Sequence, residues 1–339
     1  MSLPPRSLGL VVIETSTSTA LVLCGLLGNS ALLLALYRKP LLKSSTALII
    51  TALAILDLLN ACTTGSVFFT SLATGKLCFS NLACQISGFF LHFLTYASMA
   101  TMALTAINRF FCVLFPAVYK RTFNSHHLIA YIACLWGFVA VVVLVPIMSG
   151  WATFSFSPLM STCNMKFANK EAEIGYTCFI VAVFVVLCLS IITFCYIRVF
   201  RFIRAHNANT VSISKQEIRL TRALFVLVFA FVTLWVPVFL AILLFRVILP
   251  SSRIPREMVL IVPYVIHVSS AVNPWIYGIM SPFVRNKVKK IFLKNRVGPE
   301  NSLGASGITV VRAWERNRQS QKENVVANAT LFTPKNSSF

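Results

Sequence analysis

Acidic side chains are scarce in this 339-residue chain: nine Asp and Glu stand against 30 Lys and Arg, a formal net charge of +21. Charged residues of both signs make up only 12%, against 57% hydrophobic residues. So little charge cannot cover a soluble domain, and a mean hydropathy of +0.80 places the chain among membrane proteins. No His, Cys, Asp and Glu cluster has the spacing of a metal site, and no nucleophile–base pair is evident, which argues against an enzyme. No pair of similar halves, broken helices or ring of charges appears, which argues against a transporter. Ten cysteines make no disulfide scaffold, because Cys24, Cys62, Cys112, Cys134, Cys188 and Cys195 fall inside apolar runs, where a small, soft side chain packs well.

What is present is a series of seven long apolar runs: 12–37, 46–73, 84–115, 128–148, 175–199, 220–245 and 259–280. Each is near the ~20 residues that cross a bilayer as a helix. The expected fold class is therefore all-α, a seven-transmembrane helix bundle (12–280) after a short N-terminal segment (1–11). Residues 281–294 read as a short amphipathic eighth helix on the membrane surface, with Phe283, Val284, Val288, Ile291 and Phe292 toward lipid. Arg285, Lys287, Lys289, Lys290 and Lys294 would meet anionic headgroups. A polar, disordered tail (295–339) is expected to follow. The first run is too long for a signal peptide's apolar core and reads as a retained anchor.

Placing the tail in the cytoplasm puts 23 of the 30 basic residues on that side and leaves Arg6, Lys76, Lys166, Lys170, Arg246, Arg253 and Arg256 outside. That asymmetry is the positive-inside rule, so the N-terminus is expected to face outward from the plasma membrane. The positive charge then reads as topology and contact with anionic lipid, not as nucleic-acid binding. Cys84 opens the third run on the outer side, and Cys163 lies in the outer loop after the fourth. The oxidising exterior permits a bridge there, although spacing alone does not choose between Cys84 and the nearby Cys78.

Asn273-Pro274-Trp275-Ile276-Tyr277 lies inside the seventh run. A mid-helix proline removes a backbone hydrogen bond and kinks the helix. In lipid, the carbonyl it frees needs a partner inside the protein. The flanking Asn and Tyr mark this segment as a moving part. Asp57 is the only acidic residue deep in the membrane, where a lone carboxylate is costly unless paired or hydrated. Asn29, Ser98, Ser269, Ser270 and Asn273 are expected to gather around it. A protonated aspartate held by water and asparagine is the alternative to a bound ion.

Gly28-Asn29, Leu53-Ala54-Ile55-Leu56-Asp57, Asn108-Arg109-Phe110, Trp136, Tyr196, Phe231-Val232-Thr233-Leu234-Trp235-Val236-Pro237 and the Asn-Pro motif stand in order along the chain. Together they resemble the marks of the rhodopsin-like G-protein-coupled receptors, over roughly residues 25–293. Asn108 replaces the family's usual aspartate, and Leu234 its cysteine. The resemblance implies a Cys84–Cys163 disulfide and a sodium ion near Asp57 and Ser98. It also implies a resting contact between Arg109 and Glu217, whose release would open a groove for a heterotrimeric G protein. Read without the family, such an interfacial pair is worth only ~0–1 kcal/mol. Without the adjacent aspartate, Arg109 is expected to lose a restraint. A switch is implied through Phe231, Trp235 and Pro237 toward Tyr196, Asn273, Pro274 and Tyr277. Cys188 stands where the family has a fifth-span proline, so that span is expected to be straighter.

Ligand chemistry follows from further absences. Where amine receptors carry a third-span aspartate this chain has Leu91, beside His92, so a cationic amine would find no buried partner. Visual pigments need a seventh-span lysine, and this run has none, with His267 six residues before Asn273. Covalent retinal is therefore not expected, and no cofactor is needed beyond the sodium ion. The expected pocket comprises Phe68, Leu91, His92, Thr95, Tyr96, Phe184, Trp235, Phe239, Tyr264 and His267. Its aromatic lining and few polar handles suit a neutral, fairly flat small-molecule agonist. A lone histidine is more often a satisfied interior group than a ligand contact. A non-covalently held chromophore or lipid-like ligand near His267 is the alternative within the fold.

Cys84-Gln85-Ile86-Ser87-Gly88-Phe89 and Ala106-Ile107-Asn108-Arg109-Phe110 resemble the third span of the melatonin receptors. Phe194-Cys195-Tyr196-Ile197-Arg198 resembles their fifth, whereas their seventh usually has Asn-Ala in place of Asn273-Pro274. Ser and Thr in the tail suggest phosphorylation and arrestin as a partner, and Ser337-Ser338-Phe339 suggests a PDZ protein.

Overall fold

The computed structural model describes the backbone of residues 2–37, 45–205, 215–243 and 255–280, and the side chains of all of these except 215–220 and 277–280. Seven helices within it are long and apolar enough to cross a membrane. They are span one (Leu8–Tyr37), span two (Ser45–Thr74), span three (Asn81–Leu114), span four (Ser125–Met148) and span five (Lys170–Ala205). Span six is Lys215–Leu243 and span seven is Arg256–Met280. The expected eighth helix at 281–294, the tail and its phosphorylation and PDZ motifs lie outside the described residues.

Several helices outrun the apolar runs because local capping, not lipid thickness, decides where a helix starts. Ser80 accepts the Ala83 N–H at 3.2 Å to open span three, and Asn124 accepts that of His127 at 2.9 Å to open span four. Asn169 accepts that of Ala172 at 2.8 Å to open span five. Gly75, at φ +72°, closes span two in the left-handed conformation glycine tolerates.

Two π-helical stretches, Ala61–Gly65 in span two and Val181–Leu187 in span five, interrupt the α-helical repeat without a proline. The second ends just before Cys188, which stands in place of the family's fifth-span proline. The Cys188 thiol there donates to the Val183 carbonyl five residues back at 3.6 Å, a bond that the wider turn permits. Pro146 in span four leaves the Val142 carbonyl without its helical donor. The Tyr176 hydroxyl of span five points at that carbonyl from 3.5 Å.

The loop between spans four and five adds a feature absent from the all-α expectation: an antiparallel hairpin of β1 (Ala152–Ser157) and β2 (Thr162–Phe167). Its Cys163 is bonded to Cys84 at the start of span three, with Cα atoms 5.4 Å apart. One turn further, a β carbon on Gly88 would stand 2.8 Å from Phe154 of β1. The bare backbone of Gly88 therefore lets the hairpin settle onto span three. Residues 2–7 form a strap at the same end, with the Leu3 N–H donating to the Gly75 carbonyl at 2.8 Å. Leu3 is buried in a cluster with Phe68, Leu72, Cys84, Phe156, Cys163 and Leu260.

Candidate functional site

The kink in span seven is built jointly with span one. Pro274 frees the Ser270 carbonyl, and the Asn29 side-chain amide donates to it at 3.2 Å. A β carbon on Gly28 would lie 2.9 Å from the Pro274 ring, so glycine is what allows that ring to pack. Asn273 donates to the Asp57 carboxylate at 2.7 Å, and the Ser270 hydroxyl donates to the Asp57 backbone carbonyl at 3.2 Å. Asp57 therefore joins spans two and seven. Asn29 Oδ1 is buried in the same cluster without a hydrogen-bond partner among the described residues. It and the Asp57 carboxylate are oxygens that fit a sodium ion, whereas Ser98 makes no hydrogen bond to Asp57.

At the opposite end from the hairpin, Arg109 is buried to 1% exposure, an expensive place for a guanidinium. It donates to Asn108 Oδ1 from Nε at 3.2 Å and from Nη2 at 2.7 Å, and also to the Thr46 hydroxyl. Asn108 in turn reaches the Tyr119 hydroxyl at 3.5 Å. The restraint expected to vanish with the missing aspartate is present in neutral form, because an amide carbonyl accepts the same hydrogen bonds. The side chains of Glu217 and Tyr277 lie outside those described, so the Arg109–Glu217 contact is an expectation only. Tyr196 is buried with its ring 5.6 Å from that of Phe225, and its hydroxyl has no hydrogen-bond partner among the described residues.

Between these ends, Phe231, Trp235 and Phe239 stack along span six with ring centroids 5.7 and 5.5 Å apart. The Trp235 indole donates to the Ser269 hydroxyl of span seven at 3.3 Å. Trp235 and Phe239 also face an open-mouthed cavity of about 100 Å³. Leu91, His92, Thr95 and Tyr96 of span three line it, and among the described residues none that lines it is acidic.

Four expected pocket residues stand elsewhere. Phe184 is stacked behind Tyr96 at 5.0 Å and supports it. Phe68, Tyr264 and His267 pack on one another in the crevice of spans one, two and seven, with Phe68 5.1 Å from Tyr264 and 5.3 Å from His267. His267 is within 3.4 Å of the Asn60 amide, so it is an interior group. Counting along a regular helix overlooked the contributions of Tyr176, Thr177 and Ile180 from span five and of Asn164 and Met165 from β2. Asn164 directly follows the disulfide cysteine, and that adjacency was the available signal.

The sequence profile of the 7 transmembrane receptor (rhodopsin family) matches residues 28–277, which include every span-marking motif described above. The chain belongs to this family. It is a G-protein-coupled receptor and not an enzyme, a multi-pass protein of the plasma membrane. Among curated relatives, the receptor is 23% identical over 298 residues to melatonin receptor type 1A of Ovis aries, covering 85% of this chain and 80% of that one. It is 25% identical over 284 residues to melatonin receptor type 1C of Gallus gallus, covering 81% and 80%. It is 23% identical over 272 residues to melatonin receptor type 1B of Rattus norvegicus, covering 78% and 73%.

Proposed function

We propose that this receptor binds a neutral, flat aromatic molecule of the indoleamine kind from outside the cell and activates a heterotrimeric G protein through outward movement of span six. The observation that carries the reading is the cavity itself, aromatic and, among the described residues, free of carboxylates, with His92 and Asn164 as polar handles. The Glu14 carboxylate of span one is held by Arg6 and Arg256 and is not offered to a cationic ligand. Similarity to melatonin receptors supports the same ligand class.

Ligand entry would press on Trp235, whose bond to Ser269 ties span six to span seven beside the Pro274 kink. Pivoting of span six about Pro237 would then uncover Arg109 for the G protein. The basic asymmetry of the loops supports an outer N-terminus and a cytoplasmic C-terminus. A sodium ion, where bound, would be held by Asp57 with Asn29, neutralising the carboxylate and favouring the resting arrangement. Arrestin and a PDZ protein are proposed partners of the tail. A chromophore beside His267 has less support, since that ring is enclosed by Phe68 and Asn60.

The test is a cell assay of G-protein activation with a panel of indoleamines, other neutral aromatics and monoamines. Neutral indoles should activate and monoamines should not. Activation by monoamines alone, or a visible absorption band on adding retinal, would replace this reading.

A further inference from the structure

The strap of residues 2–7 ends near Arg6, whose guanidinium is divided between two acceptors. Nη1 donates to Glu14 at 2.9 Å and Nη2 to the Leu72 carbonyl of span two at 2.9 Å. The Glu14 carboxylate also takes both terminal nitrogens of Arg256, at 2.6 and 2.9 Å, and the Glu14 backbone carbonyl takes the Tyr264 hydroxyl at 2.8 Å. One residue of span one thus gathers the strap and two points on span seven. Between those points lie Val262 and Pro263, which with Ile266 form the span-seven wall of the cavity. The Arg6, Glu14 and Arg256 side chains are only 5%, 7% and 9% exposed. At such burial each guanidinium depends on the shared carboxylate to offset its desolvation.

We infer that Glu14 is a positioning residue for the cavity, and that docking of the strap through Arg6 sets where the span-seven wall stands. The inference rests on the reading of the cavity as the ligand site. Two cations share one anion, so the strap and span seven cannot move independently. Losing Arg6 leaves the carboxylate to Arg256 alone. Losing the Glu14 charge leaves two like charges buried together. A change in the strap therefore alters the cavity without touching a residue in it. Linkage requires the converse: a ligand that pushes on Val262 and Ile266 shifts strap docking by the same factor.

The test uses the full chain in lipid nanodiscs with Cys78→Ser, which removes an exposed thiol at this end. Two reporters are read in separate proteins against the reporter-free background. Leu3→Cys, at a site now buried, is read by a membrane-impermeant maleimide, and Val262→Cys by a small methanethiosulfonate. Arg6→Ala and Glu14→Gln should each raise both reaction rates about tenfold, within the range usual for coupled sites. Arg6→Lys, which keeps the charge, should raise them far less. If the Leu3→Cys rate rises while the Val262→Cys rate stays constant, the strap does not position the wall and the inference is overturned. It is overturned equally if neither rate changes. Should Glu14→Gln fail to fold, Arg6→Ala on the strap decides the matter. Neither readout uses an agonist or a G protein, so failure here is distinguishable from failure of the ligand assay.

Discussion

The side-chain amide of Asn29 donates to the backbone carbonyl of Ser270, which Pro274 leaves without a helical donor, at 3.2 Å. A defect in span seven is thereby closed by a group from span one. Asn29→Ala would leave that carbonyl buried and unpaired, at a cost of about 1–3 kcal/mol. Gly28→Ala would drive a methyl group into the Pro274 ring, at a similar cost of about 1–3 kcal/mol. Thermal unfolding in detergent should show both variants melting below the wild type, and an unchanged melting temperature for Gly28→Ala would rule out the close packing.

Arg109 and Asn108 make the second prediction. Arg109→Ala should abolish G-protein activation while surface expression is kept, because the guanidinium is the group to be exposed to the partner. Asn108→Asp replaces a neutral acceptor with a charged one, and charge-assisted bonds are roughly twice as strong. Agonist-independent nucleotide exchange should therefore fall in Asn108→Asp. Exchange at or above the wild-type level would show that Asn108 does not restrain the arginine.

The cavity predicts its own mutational profile. His92 and Asn164 are its polar handles, and replacing a group that hydrogen-bonds a ligand costs about 1–3 kcal/mol, or roughly tenfold or more in affinity. His92→Leu and Asn164→Leu should weaken radiolabelled indoleamine binding by that factor. His267→Leu, outside the cavity, should change affinity less than either. Equal losses for all three would mean the ligand reaches the crevice of spans one, two and seven.

Asp57 supplies a fourth outcome. If a sodium ion sits with Asp57 and Asn29, raising sodium at constant ionic strength should lower agonist affinity in the wild type. Asp57→Asn should abolish that dependence, since the neutral amide lacks the charge that draws in a cation. A wild-type receptor indifferent to sodium against potassium would remove the ion from the mechanism.

The hairpin gives a fifth. Gly88→Val would collide with Phe154, which already stands within van der Waals reach of the bare backbone. The hairpin should lift, loosening Asn164 and Met165, so indoleamine affinity should drop while the secondary structure seen by circular dichroism is unchanged. Wild-type affinity in Gly88→Val would show that the hairpin's seat does not shape the cavity.

The seven spans and the family were determined by the sequence alone, because apolar length and one-sided basic charge are local, additive properties of a chain in a bilayer. The need for a partner to the carbonyl freed by Pro274 was also legible, since it follows from proline chemistry. Which residue supplies that partner was decided only in the tertiary structure, as was the fit of Gly28 against the Pro274 ring. The same holds for the rotation of each helix about its own axis. π-helical stretches at Ala61–Gly65 and Val181–Leu187 depart from the regular repeat that a sequence pattern assumes. Phe68 and Phe184, expected in the cavity, instead pack against Tyr264 and His267 and against Tyr96. The strap on Glu14 and Arg256 joins residues 242 positions apart; no local pattern encodes such a contact, and only the packed bundle brings those charges together.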